Sequence, residues 1–150
     1  MNLLEKIEKY NSNICLINGN RRVLFYKDVL EISEKISKNL EERKLIFVLA
    51  QNHTEFITSY IGFFRKGLVQ VLINANINID QLNNLLESYL PTYIFLPSSR
   101  INDIKNYEIM VNLKDHKILM LNKKKSYSIN KNLALLLSTS GSTGSKKFAR

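Results

Sequence analysis

Three apolar runs, Leu45–Ala50, Leu68–Ile73 and Thr92–Leu96, alternate with two amphipathic stretches, and this pattern constrains the fold more than any other feature of the chain. A strand that is apolar at nearly every position needs cover on both faces, which it finds inside a sheet flanked by helices. The first intervening stretch, His53–Lys66, carries Phe56, Ile57, Tyr60, Ile61 and Phe64 at helical spacing and stops at Gly67, a residue suited to a left-handed cap. The second, Ile79–Leu90, has Asp80 in its first turn, where a carboxylate favours the helix dipole, and is ended by Pro91. Strand, helix, strand, helix, strand predicts βαβ units and an α/β fold, a mostly parallel sheet flanked by helices. By itself that architecture names no function.

The flanking segments fit the same plan. Asn2–Tyr10 has Leu3, Leu4 and Ile7 at helical spacing. Ile14–Ile17 and Val23–Phe25 straddle Asn18-Gly19-Asn20 and read as a β-hairpin. Tyr26–Leu40 carries a stripe of Val29, Leu30, Ile32, Ile36 and Leu40 opposite charged residues, as an amphipathic helix does. Residues 97–131 are less regular, with strands expected near 107–111 and 117–121, and Leu133–Leu137 reads as a further buried strand. The chain has no internal repeat and no low-complexity segment.

Charge is distributed unevenly. The net charge of +9 comes from 22 basic and 13 acidic residues, yet residues 116–150 hold eight of the basic ones and no acid. A neutral body with one positive end is not the footprint of a general nucleic-acid binder. The aromatic residues Phe56, Tyr60, Phe64, Phe47 and Phe95 fall on core-facing patterns rather than beside the lysines. No apolar run approaches the ~20 residues of a membrane helix, and the N-terminus lacks a signal-peptide core. The single cysteine, Cys15, excludes a disulfide framework and suits a reducing compartment, so a soluble cytoplasmic protein is expected. His53 and His116 lie far apart in sequence without ligand spacing, and no metal site is expected from them. Asp80, Glu87, Asp103 and Glu108 form no pairing pattern for acid–base work.

The chemistry concentrates after Leu133–Leu137, in Ser138-Thr139-Ser140-Gly141-Ser142-Thr143-Gly144-Ser145-Lys146-Lys147. Glycines let a backbone turn its N–H groups onto an anion, small hydroxyls add donors, and a terminal lysine adds a mobile positive charge. Following a parallel strand, the segment would lie at the carboxyl edge of the sheet, where α/β proteins bind ligands. It is not a Walker A loop, because Gly141 would require glycine at the position of Lys146. A flexible serine-glycine linker is the other reading of its composition.

The segment resembles the phosphate-binding signature of the AMP-forming adenylating enzymes, the superfamily of acyl-CoA synthetases, peptide-synthetase adenylation domains and luciferases, which runs roughly Y-T-S-G-T-T-G-x-P-K. Thr139, Ser140, Gly141, Thr143, Gly144 and Lys147 match, and Ser142 is a conservative replacement. Ser138 stands in the aromatic position and Lys146 in that of the proline. Tyr26-Lys27-Asp28-Val29-Leu30 resembles the family's T-Y-x-E-L helix start, with Phe25 in the threonine position at a cost of about 1 kcal/mol of capping. Gln51–Phe56 resembles its N-S-x-E-F/W stretch, and Gly67–Ile73 its A-G-x-x-x-x-P strand without the proline.

The resemblance implies that 1–150 is the N-terminal part of an adenylating domain, an incomplete portion of the acyl-CoA synthetase-like fold that stops just after its phosphate loop. It implies ATP-dependent activation of a small-molecule carboxylate as an acyl-adenylate, with pyrophosphate released. Transfer to coenzyme A or to phosphopantetheine on a carrier protein would follow. Thr139, Ser140, Gly141, Ser142, Thr143, Gly144 and Lys147 would bind the phosphates, with Mg2+ held by a ligand further along such enzymes. No catalytic residue is implied within this chain, which is expected to be inactive alone and, with an unpaired parallel edge at Leu133–Leu137, prone to association. The alternatives are a non-catalytic nucleotide- or phosphate-binding module or a decayed gene fragment. The carboxylic acid and the oligomeric state are left open.

Overall fold

All three apolar runs form strands at the centre of one seven-stranded sheet in the computed structural model, which describes residues 7–122, 128–138 and 148–149. In chain order the elements are β1 (Ile14–Ile17), β2 (Val23–Phe25), α1 (Tyr26–Ser37), β3 (Leu45–Ala50), α2 (Thr54–Arg65), β4 (Val69–Asn74) and α3 (Ile79–Tyr89). They continue as β5 (Tyr93–Pro97), a 3-10 helix (Ser98–Asp103), β6 (Tyr107–Asn112), β7 (His116–Leu121), β8 (Leu135–Ser138) and β9 (Phe148–Ala149). Strands β1 and β2 form a separate antiparallel hairpin. The large sheet has the order β6-β7-β5-β3-β4-β8-β9. Its centre, β5-β3-β4-β8, is parallel, and its margins are antiparallel.

Strand β3 explains why this order is stable. Leu45, Phe47 and Leu49 point into one core with Leu82, Leu85 and Leu86 of α3, while Ile46 and Val48 point into a second core with Ile36 and Phe63 of α1 and α2. None of these five strand residues is more than 5% exposed. Burying each large aliphatic or aromatic side chain contributes about 1.5–3 kcal/mol, so this strand anchors both layers. Among the described residues no helix is long and apolar enough to cross a membrane.

Helices α1 and α2 meet through small residues. Ser33 is fully buried, its hydroxyl satisfied by the Leu30 carbonyl at 2.8 Å, and Gly62 packs directly on its backbone. The helix ends follow the sequence closely. His53 caps α2, its Nδ1 accepting from the Glu55 N–H at 3.3 Å, and Gly67 follows the helix at φ +73°. At the start of α1 the Phe25 ring offers no acceptor, and only the return half of a capping box forms, with Asp28 accepting from the Phe25 N–H at 2.9 Å.

Three expectations are corrected. Leu133–Leu137 is not a buried strand: β8 starts at Leu135, and Leu137 is 48% exposed because no described helix covers it. The unpaired parallel edge expected there is partly closed, since β9 pairs antiparallel with Leu137 and Ser138. The irregular region after β5 contains the 3-10 helix, which the apolar pattern did not signal. Of the helix expected over Asn2–Tyr10, residues 1–6 lie outside the described residues, and Ile7 and Glu8 are helical.

Candidate functional site

Strand β8 determines where the hydroxyl-and-glycine segment departs. Leu135, Leu136 and Leu137 run parallel to Gln70, Val71 and Leu72 of β4, so Ser138 ends the strand at the carboxyl edge of the sheet. The chain returns as β9, with Ser138 opposite Phe148. Thr139, Ser140, Gly141, Ser142, Thr143, Gly144 and Lys147 themselves lie outside the described residues, as do Lys123–Lys125.

Backbone and side-chain ties hold the same edge in the neighbouring strands. The Ala75 N–H donates to the Ala50 carbonyl at 3.3 Å, linking the ends of β3 and β4. Arg100 donates from Nη1 to the Ala75 carbonyl and pairs through Nε with Asp103 at 2.7 Å, so the 3-10 helix after β5 is tied to the turn after β4. Asn74 and Asn78 accept from the N–H groups of Asn76 and Gln81, both at 2.8 Å, which shapes the turn into α3. At the opposite edge Arg43 donates to the carbonyls of Leu133 at 3.0 Å and Asn130 at 2.6 Å, fixing the approach to β8. A ligand at the carboxyl edge would therefore meet strand ends already held in place.

A second polar group lies on that edge. His116 begins β7 opposite Pro97, the last residue of β5, which brings it beside the turn from β3 into α2. Its Nδ1 stands 2.8 Å from Oε2 of Glu55, 61 positions earlier in the chain. Glu55 also accepts from the N–H groups of Lys114 (3.0 Å) and Asp115 (3.1 Å), so its carboxylate fastens the β6–β7 turn to the start of α2. His53 faces Asp115 through Nε2 at 3.4 Å, and its ring centroid is 5.1 Å from that of His116. His116 is 1% exposed, stacks on Phe95 at 4.8 Å, and leaves Nε2 without a hydrogen-bond partner among the described residues. The two histidines, separate in sequence, thus share one cluster. Only topology brings them together, and no spacing pattern could have signalled it.

A cleft of about 730 Å3 opens beside this cluster, between the β1–β2 turn at Asn18–Asn20 and the side chains of His53, Glu55 and Asp115. A cleft of about 820 Å3 lies at the other edge, among Leu45, Tyr89, Leu133 and Leu135, away from the bracketing ends of β8 and β9. Cys15 is half-buried, and its burial pushes the thiol up, which makes it a poor nucleophile.

No protein-family model matches the chain. It is similar to 4-coumarate–CoA ligase 2 of Nicotiana tabacum, 26% identical over 109 residues that cover 69% of this chain and 20% of that enzyme. It is also similar to the nonribosomal peptide synthetase kk1B of Curvularia clavata, 27% identical over 136 residues, 83% of this chain and 1% of that protein. The chain therefore spans about a fifth or less of these relatives. In fold it resembles the o-succinylbenzoate CoA synthetase of Bacillus subtilis solved with its acyl-adenylate intermediate, with a TM-score of 0.71 and 18% identity over 97% of this chain and 40% of that one.

Proposed function

Since the chain is related in sequence to the AMP-forming adenylating superfamily and shares the fold of its N-terminal part, we propose that it supplies the phosphate-gripping portion of an enzyme that activates a carboxylate with ATP. In this reading the amides and hydroxyls of Thr139, Ser140, Gly141, Ser142 and Thr143 bind the β- and γ-phosphates. Gly144 lets the loop turn back, and Lys147 neutralises charge on the departing pyrophosphate. The carboxylate oxygen attacks the α-phosphorus, the bond to the bridging oxygen of pyrophosphate breaks, and an acyl-adenylate forms. Because a carboxylate is already nucleophilic, the protein's work is positioning and charge stabilisation. Acyl transfer to a thiol, coenzyme A or a carrier protein's phosphopantetheine, completes the scheme.

The observation that supports the reading is the parallel pairing of β8 with β4, which brings the end of β8 at Ser138 to the carboxyl edge of the sheet, where α/β proteins bind ligands. The eight basic residues of 116–150, unopposed by any acid, favour a polyphosphate there. The same absence of carboxylates means that the segment offers no acidic ligand to Mg2+.

Equilibrium binding tests the proposal. The 150-residue chain should bind ATP and pyrophosphate, and Lys147→Ala should weaken both by roughly 10-fold, about 1.4 kcal/mol. Carboxylate-dependent exchange of labelled pyrophosphate into ATP should be absent from this chain alone. Failure to bind either polyphosphate, or equal binding by the Lys147 variant, would remove the assignment.

A further inference from the structure

We propose that His53, Glu55 and His116 bind one divalent transition-metal ion, zinc first among the candidates, in a site of two imidazoles and one carboxylate. The inference is independent of the adenylation reading and concerns residues with no part in gripping phosphate.

One ligand atom from each of the three lies within 4.8 Å of the others. A four-coordinate zinc with bonds of 2.0–2.2 Å needs its donors about 3.3–3.6 Å apart, so the group must contract modestly. His53, whose side chain is 41% exposed, is free to make that movement.

The surrounding contacts suit ligation at each residue. His53 faces Asp115 with Nε2, so an N–H there is directed to a carboxylate, the arrangement that orients metal-bound histidines. Its Nδ1 lone pair is engaged only by the 3.3 Å contact from the Glu55 N–H. Glu55 has Oε1 held by the Lys114 N–H, and Oε2, which accepts from the Asp115 N–H at 3.1 Å, is the oxygen that faces His116 and would take the metal. His116 presents Nδ1 to the same oxygen. Metal binding would replace the proton on that Nδ1 and require the N–H on Nε2. Nε2 has no partner in the described structure, so the proton placed there stays unpaired and the metal bond has to outweigh that cost. Among the described residues the polar contact of His116 therefore runs through Nδ1 alone, the atom that faces Glu55.

Two imidazoles select zinc, nickel, cobalt or copper over magnesium and calcium, which prefer all-oxygen shells. The cleft that His53, Glu55 and Asp115 line gives the ion access and leaves room for a fourth ligand from solvent. Bound there, the metal would clamp the start of α2 to the β6–β7 turn.

Zinc titration of the apo chain against a chromophoric chelator tests this, with cobalt substitution as a spectroscopic check. One ion per chain should bind, and the cobalt form should have the intense visible absorption of a four-coordinate site. His53→Asn, which retains an acceptor for the helix cap, and Glu55→Gln, which retains an acceptor for the turn, should each weaken zinc binding more than about 10-fold. Asp115→Asn should weaken it less. Absence of zinc binding at micromolar concentrations would overturn the proposal. So would unchanged affinity in both His53→Asn and Glu55→Gln, or a six-coordinate cobalt spectrum in the unsubstituted chain.

Discussion

Replacing Gly62 with alanine should destabilise the chain by about 2–3 kcal/mol, although alanine is the better helix former by about 1 kcal/mol. A Cβ at Gly62 would lie 2.5 Å from the Ser33 carbonyl oxygen and 3.3 Å from the Ser33 Cα, both backbone atoms of the facing helix. No side-chain rotation can relieve that contact. Helices α1 and α2 would have to separate, and their shared core with β3, which includes Ile36 and Phe63, would loosen. A loss of this size should lower the melting temperature by roughly 5–10 °C in a domain of this length. Gly19→Ala is the control. A Cβ at that position has nothing within 4 Å, so its effect should stay within about 0.5 kcal/mol. Urea unfolding of the two variants side by side decides the matter, and equal midpoints would mean that the helices do not cross at Gly62.

Glu55→Ala should cost about 3 kcal/mol by a different route. The carboxylate accepts from two backbone N–H groups of the β6–β7 turn and from the His116 ring. Lys114 and Asp115 are exposed, so water can replace Glu55 at their amides, but His116 is 1% exposed and its Nδ1–H would lose its partner inside the protein. An orphaned buried donor costs about 1–3 kcal/mol, and bonds to a charged acceptor contribute about 1.5–3 kcal/mol. Hydrogen exchange gives a local readout: protection of the Lys114 and Asp115 amides should fall by more than the global stability loss explains. Glu55→Gln, which keeps one acceptor oxygen, should preserve most of that protection. If the alanine variant left both amides as protected as before, the carboxylate would not be what holds the turn.

Local pattern and long-range geometry were not equally legible in the sequence. Leu45–Ala50 could be read as a doubly covered strand because its burial follows from composition alone, and the structure buries its first five residues on two faces. The boundaries at His53, Gly67 and Pro91 were readable because caps and breakers act within a few residues. The place of β7 was not. Strand order depends on which edges meet in space, and the antiparallel return of β7 onto β5 is what carries His116 to Glu55. The leucines of β8 misled in the other direction. An apolar run expresses a capacity for burial, and Leu137 remains half-exposed where no described helix covers it. For the proposed phosphate segment the motif is what suggests the residues, and the topology shows only that β8, the strand before them, ends on the carboxyl edge of the sheet.

The central claim is that residues 139–147 grip the terminal phosphates of ATP, and amide chemical shifts recorded during a pyrophosphate titration of the labelled chain test it most directly. Saturable shifts should concentrate in Thr139–Lys147 and the bracketing residues Ser138 and Phe148, and should be greatly reduced in the Lys147→Ala variant. Shifts centred on Lys123–Lys125, or scattered over the basic surface with Thr139–Lys147 unmoved, would contradict it.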